Sequence, residues 1–237
     1  MDIVIVAAKR TPMGAFQGAL SALSAPELGA CAIRAALAAA GIDATRVDEV
    51  YLGNVLSAGV GQAPARPAAL PARLPDSVPC TTINKVCGSG MKAVMLAADG
   101  LRLGEMDVMV AGGMESMSRA PYLLDKARSG FRMGHQSVLD HMFLDGLQDA
   151  YEGHLMGHYA QLSADRAGLP RADMDAFAIA SLERALTAQR SGAFGAELAP
   201  VMAADTLLLA DDEQPGKARP DKIPTLKPAF SKTGTIT

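Results

Sequence analysis

The sequence lacks several features that would assign it to particular protein classes. It has no tryptophan, only 4% aromatic residues and three cysteines in 237 residues. Three cysteines are too few, and too odd in number, for a disulfide framework, and they indicate a reducing compartment. No apolar run approaches the roughly 18 residues of a membrane span. The first ten residues, MDIVIVAAKR, are too short in their apolar run for a signal peptide. We therefore expect a cytoplasmic protein with no membrane partner.

The sequence also lacks a large excess of either positive or negative charge. The chain carries 22 Lys and Arg against 25 Asp and Glu, for a net charge of −3. This balance provides neither a basic surface for nucleic acid nor a cationic face for a membrane. Hydrophobic residues make up 49% and charged residues 20%, which is the composition of a globular protein of one large or two small domains.

The first 118 residues alternate between strand and helix patterns. Apolar runs predict strands at 3–7, 50–55, 80–83 and 108–111, the first of them buried on both faces. Ser24 and Glu27 form a predicted capping box for a helix that ends at Gly41. A second helix is predicted from 88 to 103, ended by Gly104, whereas 63–74 is a short helix or a loop. This alternation predicts a parallel α/β sheet with right-handed crossovers.

The helix predicted at 88–103 is apolar on nearly every face. Its only charged residues are Lys92, Asp99 and Arg102. Such a helix is normally buried on several sides. The pattern therefore indicates a layered architecture with more protein above the helix than this chain supplies.

The pattern changes after residue 118. Residues 119–160 are rich in Met, Gly, His and Asp with weak periodicity, and a helix is predicted over 172–191. A strand is predicted at 206–210 and a loop at 211–228, so 119–237 is interpreted as an insertion or second domain. The inner face of the 172–191 helix is predicted to contain Met174, Phe177, Ala178, Ser181, Leu182 and Ala185.

Cys87 lies where a predicted strand ends and a helix begins. The unpaired N–H groups of a helix N-terminus favour thiolate over thiol, and Gly88 and Gly90 leave the backbone open to a substrate. This is the pattern of a nucleophile elbow with sulfur as the nucleophile. The residues alone leave a second interpretation equally open, in which Cys87 is a small buried hydrophobe. Cys31 and Cys80 are predicted to be core residues.

The histidines give no clear site. His154 and His158 are four residues apart and could share a helix face, but no acidic or cysteine partner stands at ligand spacing. No metal site is predicted, and none of the four histidines is identifiable as a base for Cys87. The segment AGGME at 111–115 lacks the spacing of a phosphate-binding glycine motif.

Three longer segments resemble the thiolase family: NKVCGSGMKAV around Cys87, the opening IVIVAAKRTPMGAFQGAL, and VMVAGGMESMSRAPYLL at 108–124. The later pair Met156-Gly157 and the segment KPAF at 227–230 also match. The resemblance covers the whole chain in order and identifies Cys87 as the nucleophile. A related ketoacyl synthase is disfavoured by the GGMESMS segment and by the inserted region.

The resemblance implies a layered α/β fold. Thiolases have two similar α/β halves stacked in five layers (αβαβα), with an α+β loop domain inserted in the first half. On this basis 1–118 is the N-terminal α/β domain, 119–230 is the loop domain that covers coenzyme A, and 231–237 begins a return strand. The implied activity is that of an acetyl-CoA C-acetyltransferase, which forms a Cys acyl-enzyme and performs Claisen condensation or the reverse thiolysis. It needs no metal or other cofactor, since coenzyme A thioesters are its substrates.

The resemblance also assigns site residues. Cys87 is the acylated nucleophile, and the expected binding residues toward pantetheine and adenine are Leu147, Met156 and Phe230. Two positions depart from the family pattern: Leu155 stands where short-chain biosynthetic members have His, and Gly216, next to Lys217, stands where an Arg is common.

The second half of a thiolase should supply an Asn, a His and a second Cys that acts as acid and base. This chain does not contain them, so we expect it to be inactive alone in condensation. The complete enzyme is expected to be a dimer or tetramer. The alternative is a non-catalytic or split-subunit module that pairs with a separate C-terminal half.

Overall fold

A computed structural model describes residues 2–237. The helices are α1 (Ala25–Ala40), α2 (Ala65–Ala69), α3 (Ser89–Leu103), α4 (Met156–Ala167), α5 (Arg171–Arg190) and α6 (Glu213–Lys217). The strands are β1 (Glu49–Gly53), β2 (Cys80–Ile83), β3 (Met109–Gly113), β4 (Tyr122–Leu123), β5 (Leu139–Asp140), β6 (Val201–Ala203) and β7 (Thr206–Leu209).

A three-stranded parallel sheet forms the centre of the first region. Its order is β2–β1–β3, and Leu52 of β1 lies opposite both Thr82 and Gly112. The predicted parallel α/β arrangement is therefore confirmed. The carboxyl ends of all three strands meet at one edge, where the loops that follow them come together.

Helix α1 is delimited by local signals in its own sequence. The Ser24 side chain accepts from the Glu27 N–H while Glu27 accepts from the Ser24 N–H, and Gly41 ends the helix at φ 63°. The core between α1, α2 and the sheet is built mainly from small residues. Its members include Ile33 and Ala30 of α1, Ala65 and Ala68 of α2, and Val50 and Leu52 of β1. Alanine allows these backbones to approach closely.

Helix α3 is buried on one side only within residues 2–237. Ala93 and Ala97 pack inward, whereas Met91 is 73% exposed, and Val94 and Met95 are also exposed. The described residues therefore cover α3 on one side only, in agreement with the expectation that they do not supply all of its cover. The uncovered face is apolar at Met91, Val94 and Met95 and carries the exposed ion pair Asp99–Arg102 farther along the helix.

The predicted strand at 3–7 is wrong for this structure. Val4, Ile5 and Val6 are exposed, by 62–77%, and none of them pairs with a strand. Strand backbone is stable only when its N–H and C=O groups find ladder partners, and within residues 2–237 the segment makes none before Arg10. Arg10 forms a single bridge with Leu198.

The region after 119 contains two small antiparallel pairs, β4–β5 and β6–β7, together with α4 and α5. The predicted inner face of α5 is only partly right: Met174, Leu182 and Ala185 are half-buried, whereas Phe177 is 72% exposed and Ala178 and Ser181 are also exposed. The buried residue of the helix is Asp175, whose carboxylate accepts from Arg171 of the same helix at 2.7 Å. Arg171 also donates to the Ile223 and Leu226 carbonyls, and these two contacts tie α5 to the later segment.

The predicted loop at 211–228 and the return strand at 231–237 also differ. Residues 213–217 form α6, and Pro220–Thr225 form a 3₁₀ helix. Residues 231–237 pair with no strand among those described. The Thr235 and Ile236 N–H groups instead donate to Oε1 of Gln161, at 2.8 and 3.0 Å. The domain boundaries themselves stay predictions.

Arg10 connects the first residues of the chain to the region at 197–212. Its guanidinium donates to both carboxylate oxygens of Asp212, at 2.7 and 3.0 Å, and to Glu197 at 2.6 Å. Its backbone also pairs with Glu197 and Ala199. The hydrogen bond from Arg10 is the main reason that the pKa of Asp212 is lowered. This buried carboxylate therefore stays ionised and holds the later region to the first.

Candidate active site

Cys87 lies in the loop between β2 and α3, at the carboxyl edge of the sheet. It is exposed. The preceding residue, Val86, has φ 48°, and a left-handed conformation in a β-branched residue is strained by about 1–3 kcal/mol. The elbow predicted from the sequence is therefore confirmed as a sharp and strained turn.

Hydrogen bonds from Ser89 and Asn84 hold this turn. Ser89 Oγ accepts from the Lys85 N–H at 2.8 Å and donates to the Val86 carbonyl at 2.5 Å. Asn84 Oδ1 accepts from the Val86 N–H at 2.9 Å. Because Ser89 is buried, at 4% exposed, its two bonds are partly shielded from water, and the three bonds together hold the turn that presents Cys87 to solvent.

Glycine at position 53 is required by close packing beneath the turn. A Cβ atom on Gly53 would lie 2.6 Å from Ser89 Cβ, closer than two carbon atoms tolerate. A Cβ atom on Gly90 would lie 3.6 Å from the backbone of Gly112 and Gly113. The start of α3 can therefore lie directly on β1 and β3.

Cys87 opens into a cavity of ≈ 420 Å³. The walls come from the ends of all three strands and from the inserted region. The lining residues are Gly53, Asn54, Val55, Leu56, Val86, Cys87, Ser89, Gly90, Gly113, Met114, Glu115, Met117, Gly146 and Leu147. A mostly apolar cavity of this size with one nucleophile is typical of a small-molecule site.

Glu115 is a half-buried carboxylate in the cavity wall that sequence reasoning missed. It accepts from the Val55 N–H at 2.9 Å, the Leu56 N–H at 3.1 Å and Asn54 Nδ2 at 2.7 Å. Burial raises the pKa of Glu115, and these donors oppose that rise. Asn54 and Glu115 follow the ends of β1 and β3. Because the carboxyl ends of parallel strands meet at one edge of a sheet, their positions in the sequence could have predicted that they lie together at the site.

Asn54 is fixed beside Glu115. Only 2% of the residue is exposed, and its Oδ1 is a buried acceptor with no partner among the described residues. Its Nδ2 donates to the Met114 carbonyl as well as to Glu115. The side chain thus ties β1 to β3 at the cavity floor.

The structure places the expected binding residues in two groups. Leu147 lines the Cys87 cavity, whereas Met156 and Phe230 are not among its lining residues. The Phe230 ring lies directly over Gly157, the second residue of α4. Gln148, next to Leu147, bridges Leu155, next to Met156. The three residues therefore lie near one another, and Leu147 is the one that borders the Cys87 cavity.

The two departures from the family pattern have defined surroundings. Leu155 is the N-cap of α4 and makes no side-chain cap. Gly216 lies in α6 with open space at its Cα. Its neighbour Lys217 is paired with Glu213, so this lysine is already engaged by a carboxylate of the same helix.

The remaining candidate residues form no metal centre. The His154 and His158 rings stack with centroids 4.2 Å apart. Residues 2–237 contain no group of three or more His, Cys, Asp or Glu that could hold a metal ion. No helix over the same residues is long and apolar enough to cross a membrane. Cys31 and Cys80 are partly buried free thiols.

Comparison with known proteins agrees with this geometry. The family profile "Thiolase, N-terminal domain" matches residues 3–237. Acetyl-CoA acetyltransferase from Pseudomonas aeruginosa is 49% identical over all of this chain and 61% of its own length. Acetyl-CoA acetyltransferase 2 from Arabidopsis thaliana is 50% identical over all of this chain and 60% of its own length. The chain therefore spans about three fifths of these relatives.

A solved structure also matches over the whole chain. The Acat5 thiolase from Ascaris suum, in complex with coenzyme A, is 37% identical with a TM-score of 0.94, covering all of this chain and 61% of that one. The chain belongs to the thiolase family and has the thiolase-like α/β fold.

Proposed function

We propose that this chain is the acylating part of an acetyl-CoA acetyltransferase. The observation that carries the proposal is Cys87, exposed on a strained turn at the mouth of a largely apolar cavity. The names of the relatives support the acetyl-CoA substrate. The Ascaris suum thiolase was solved in complex with coenzyme A, which supports coenzyme A as the ligand.

The first step is transfer of an acyl group to sulfur. The Cys87 thiolate attacks the thioester carbonyl carbon, the carbon–sulfur bond to coenzyme A breaks, and coenzyme A leaves as a thiolate that takes up a proton. The strained turn before α3 leaves the Cys87 sulfur exposed to an incoming thioester. The product is a Cys87 acyl-enzyme.

The second step requires a base that the described cavity does not provide. Condensation removes a proton from the second acetyl-CoA, and thiolysis activates the thiol of free coenzyme A. Glu115 is the only ionisable lining residue besides Cys87, and its carboxylate already accepts three hydrogen bonds. We therefore assign condensation to the complete protein and expect no condensation by residues 1–237 alone.

The exposed apolar surface of α3 supports the proposal that further protein packs against this helix in the complete enzyme. Met91, Val94 and Met95 of α3 and the run at 4–6 are uncovered. A patch of this kind marks an interaction surface. Its cover is the remainder of a longer chain or a separate C-terminal half, and dimer or tetramer formation belongs to the complete enzyme.

Coenzyme A is proposed to extend from the Cys87 cavity over Leu147, Met156 and Phe230. Leu147 contacts the part nearest the thioester, and Met156 and Phe230 contact the pantetheine and adenine parts. The loop domain at 119–230 supplies all three. Free thiols at 31, 80 and 87 support a reducing, cytoplasmic location.

The proposal is tested by intact-mass analysis after incubation of the complete protein with acetyl-CoA. We expect one acetyl group, mapped to Cys87 by peptide analysis and absent in Cys87→Ala. Cys31→Ala is the matched control and retains the adduct. An adduct that survives Cys87→Ala, or none in the wild type, would overturn the assignment.

A further inference from the structure

His141 is a buried histidine that the proposed acylation does not use. Only 4% of it is exposed, and it precedes the π-helical turn Phe143–Leu147. Its Nε2 lies 3.2 Å from the Ala58 backbone N, and its Nδ1 lies 2.5 Å from Asp145 Oδ2. Because an amide N–H can only donate, Nε2 is the unprotonated nitrogen. Nδ1 therefore carries the proton and donates to Asp145.

The two partners of His141 belong to two segments that each form part of the wall of the Cys87 cavity. Ala58 lies in the stretch 54–58 of the loop after β1, of which Asn54, Val55 and Leu56 line the cavity. Asp145 lies in the turn whose Gly146 and Leu147 also line the cavity. His141 is thus a hydrogen-bonded bridge between these two wall segments.

The walls are already close to each other. A Cβ on Gly146 would lie 3.2 Å from Leu56 Cδ2, so glycine allows the turn to approach the loop. Glu115 holds the beginning of the same loop through the Val55 and Leu56 N–H groups. The loop is therefore fixed at its start by Glu115 and at its end by His141.

We propose that His141 is a positioning residue that sets the width of the acyl-binding cavity beside Cys87. It acts through Leu56 and Leu147 and does not touch the acyl group. This inference rests on the proposed function, since it assigns the cavity to the acyl group. Its consequence is that His141 limits the length of acyl chain accepted.

Two conservative substitutions separate the two hydrogen bonds. In His141→Asn the amide nitrogen can replace Nδ1 and donate to Asp145, but nothing reaches Ala58. In His141→Gln the side-chain oxygen can reach the position of Nε2 and accept from Ala58. The bond to Ala58 is the one that joins the walls.

The first measurement is the rate of Cys87 acylation in the complete protein with acetyl-CoA and with hexanoyl-CoA. We expect His141→Asn to raise the hexanoyl-to-acetyl ratio of kcat/KM about tenfold, the scale on which a pocket discriminates by methylene groups. His141→Gln should stay within about twofold of the wild type, a difference below one such methylene step. An unchanged ratio in His141→Asn, or an equal change in both variants, overturns the proposal.

The second measurement does not depend on acyl-CoA chemistry. Cys87 is alkylated with N-ethylmaleimide and with the bulkier N-phenylmaleimide, and peptide mapping separates it from Cys31 and Cys80. His141→Asn should raise the phenyl-to-ethyl rate ratio, whereas His141→Gln should not. If no acyl-CoA modifies the wild type, the proposed function fails while this ratio still decides the role of His141: a rise specific to His141→Asn supports it, and an unchanged ratio overturns it.

Discussion

The sheet region at 25–113 and the region at 119–237 are held together in different ways. The first has a dry core in which Val50, Ala65 and Ala68 are fully buried. The second has few buried apolar residues, and two of its buried side chains, Asp175 and Asp212, are paired with arginines. Apolar burial therefore stabilises the region that presents Cys87, and directional polar contacts position the region that lies over it.

This difference has a functional meaning. A nucleophile needs a fixed backbone, and close packing of small residues beneath β1 provides it. A region proposed to receive a long and flexible ligand keeps apolar surface open, as Met156 and Phe230 do at 48% and 38% exposure. The first region therefore buries its apolar surface beneath the nucleophile, whereas the second keeps part of its apolar surface exposed for the ligand.

The sharpest test of the comparison is a matched pair of leucine truncations. Leu52→Ala in β1 removes a side chain that is 3% exposed, and we expect it to lower the free energy of unfolding by about 3–4 kcal/mol. Leu207→Ala in β7, where the leucine is 54% exposed, should cost less than about 0.5 kcal/mol. Urea unfolding followed by circular dichroism measures both, and equal losses would contradict the comparison.

A smaller effect is expected from the Arg10–Asp212 pair. Asp212→Asn weakens a bidentate charged contact, and we expect it to lower the free energy of unfolding by about 2 kcal/mol near pH 7. The folded-state pKa of Asp212 is lowered, so its contribution is fully present above the unfolded pKa of about 3.9. It is lost as the pH falls through the lower folded-state value.

Thermal unfolding of the wild type and Asp212→Asn between pH 7 and pH 2 measures this contribution. The two curves should converge at the acid end, because the protonated carboxyl resembles the amide. Asp205→Asn, on the β6–β7 turn, is the control for loss of charge alone. A constant difference at all pH values would show that the pair does not stabilise the fold through its charge.

The smallest effect concerns ligand contacts in the second region. Phe230→Ala removes the ring over Gly157, and we expect it to raise KM for coenzyme A thioesters about tenfold, equivalent to about 1.4 kcal/mol. The increase should be the same for acetyl and longer acyl groups, because Phe230 lies outside the Cys87 cavity. Phe177→Ala, on an exposed face of α5, is the matched control and should leave KM unchanged. A change in acyl preference in Phe230→Ala would place Phe230 near the acyl group instead.

The sequence by itself determined the elements whose ends are set by residues close to them along the chain. The capping box at Ser24 and Glu27, the left-handed Gly41 and Gly104, and the strand-to-helix position of Cys87 all appear in the structure as predicted. In each case the relevant contacts lie within a few residues along the chain, or one conformation is accessible mainly to glycine. The family motif around Cys87 added the chemistry.

Tertiary structure decided whatever depends on a distant partner. The apolar run at 3–7 forms a strand only if another strand pairs with it. The orientation of α5 depends on a distant segment, because Arg171 donates to the carbonyls of Ile223 and Leu226. Glu115 and His141 bind residues about 60 and 80 positions away along the chain. Such contacts arise only when distant segments are brought together, so no local pattern could encode them.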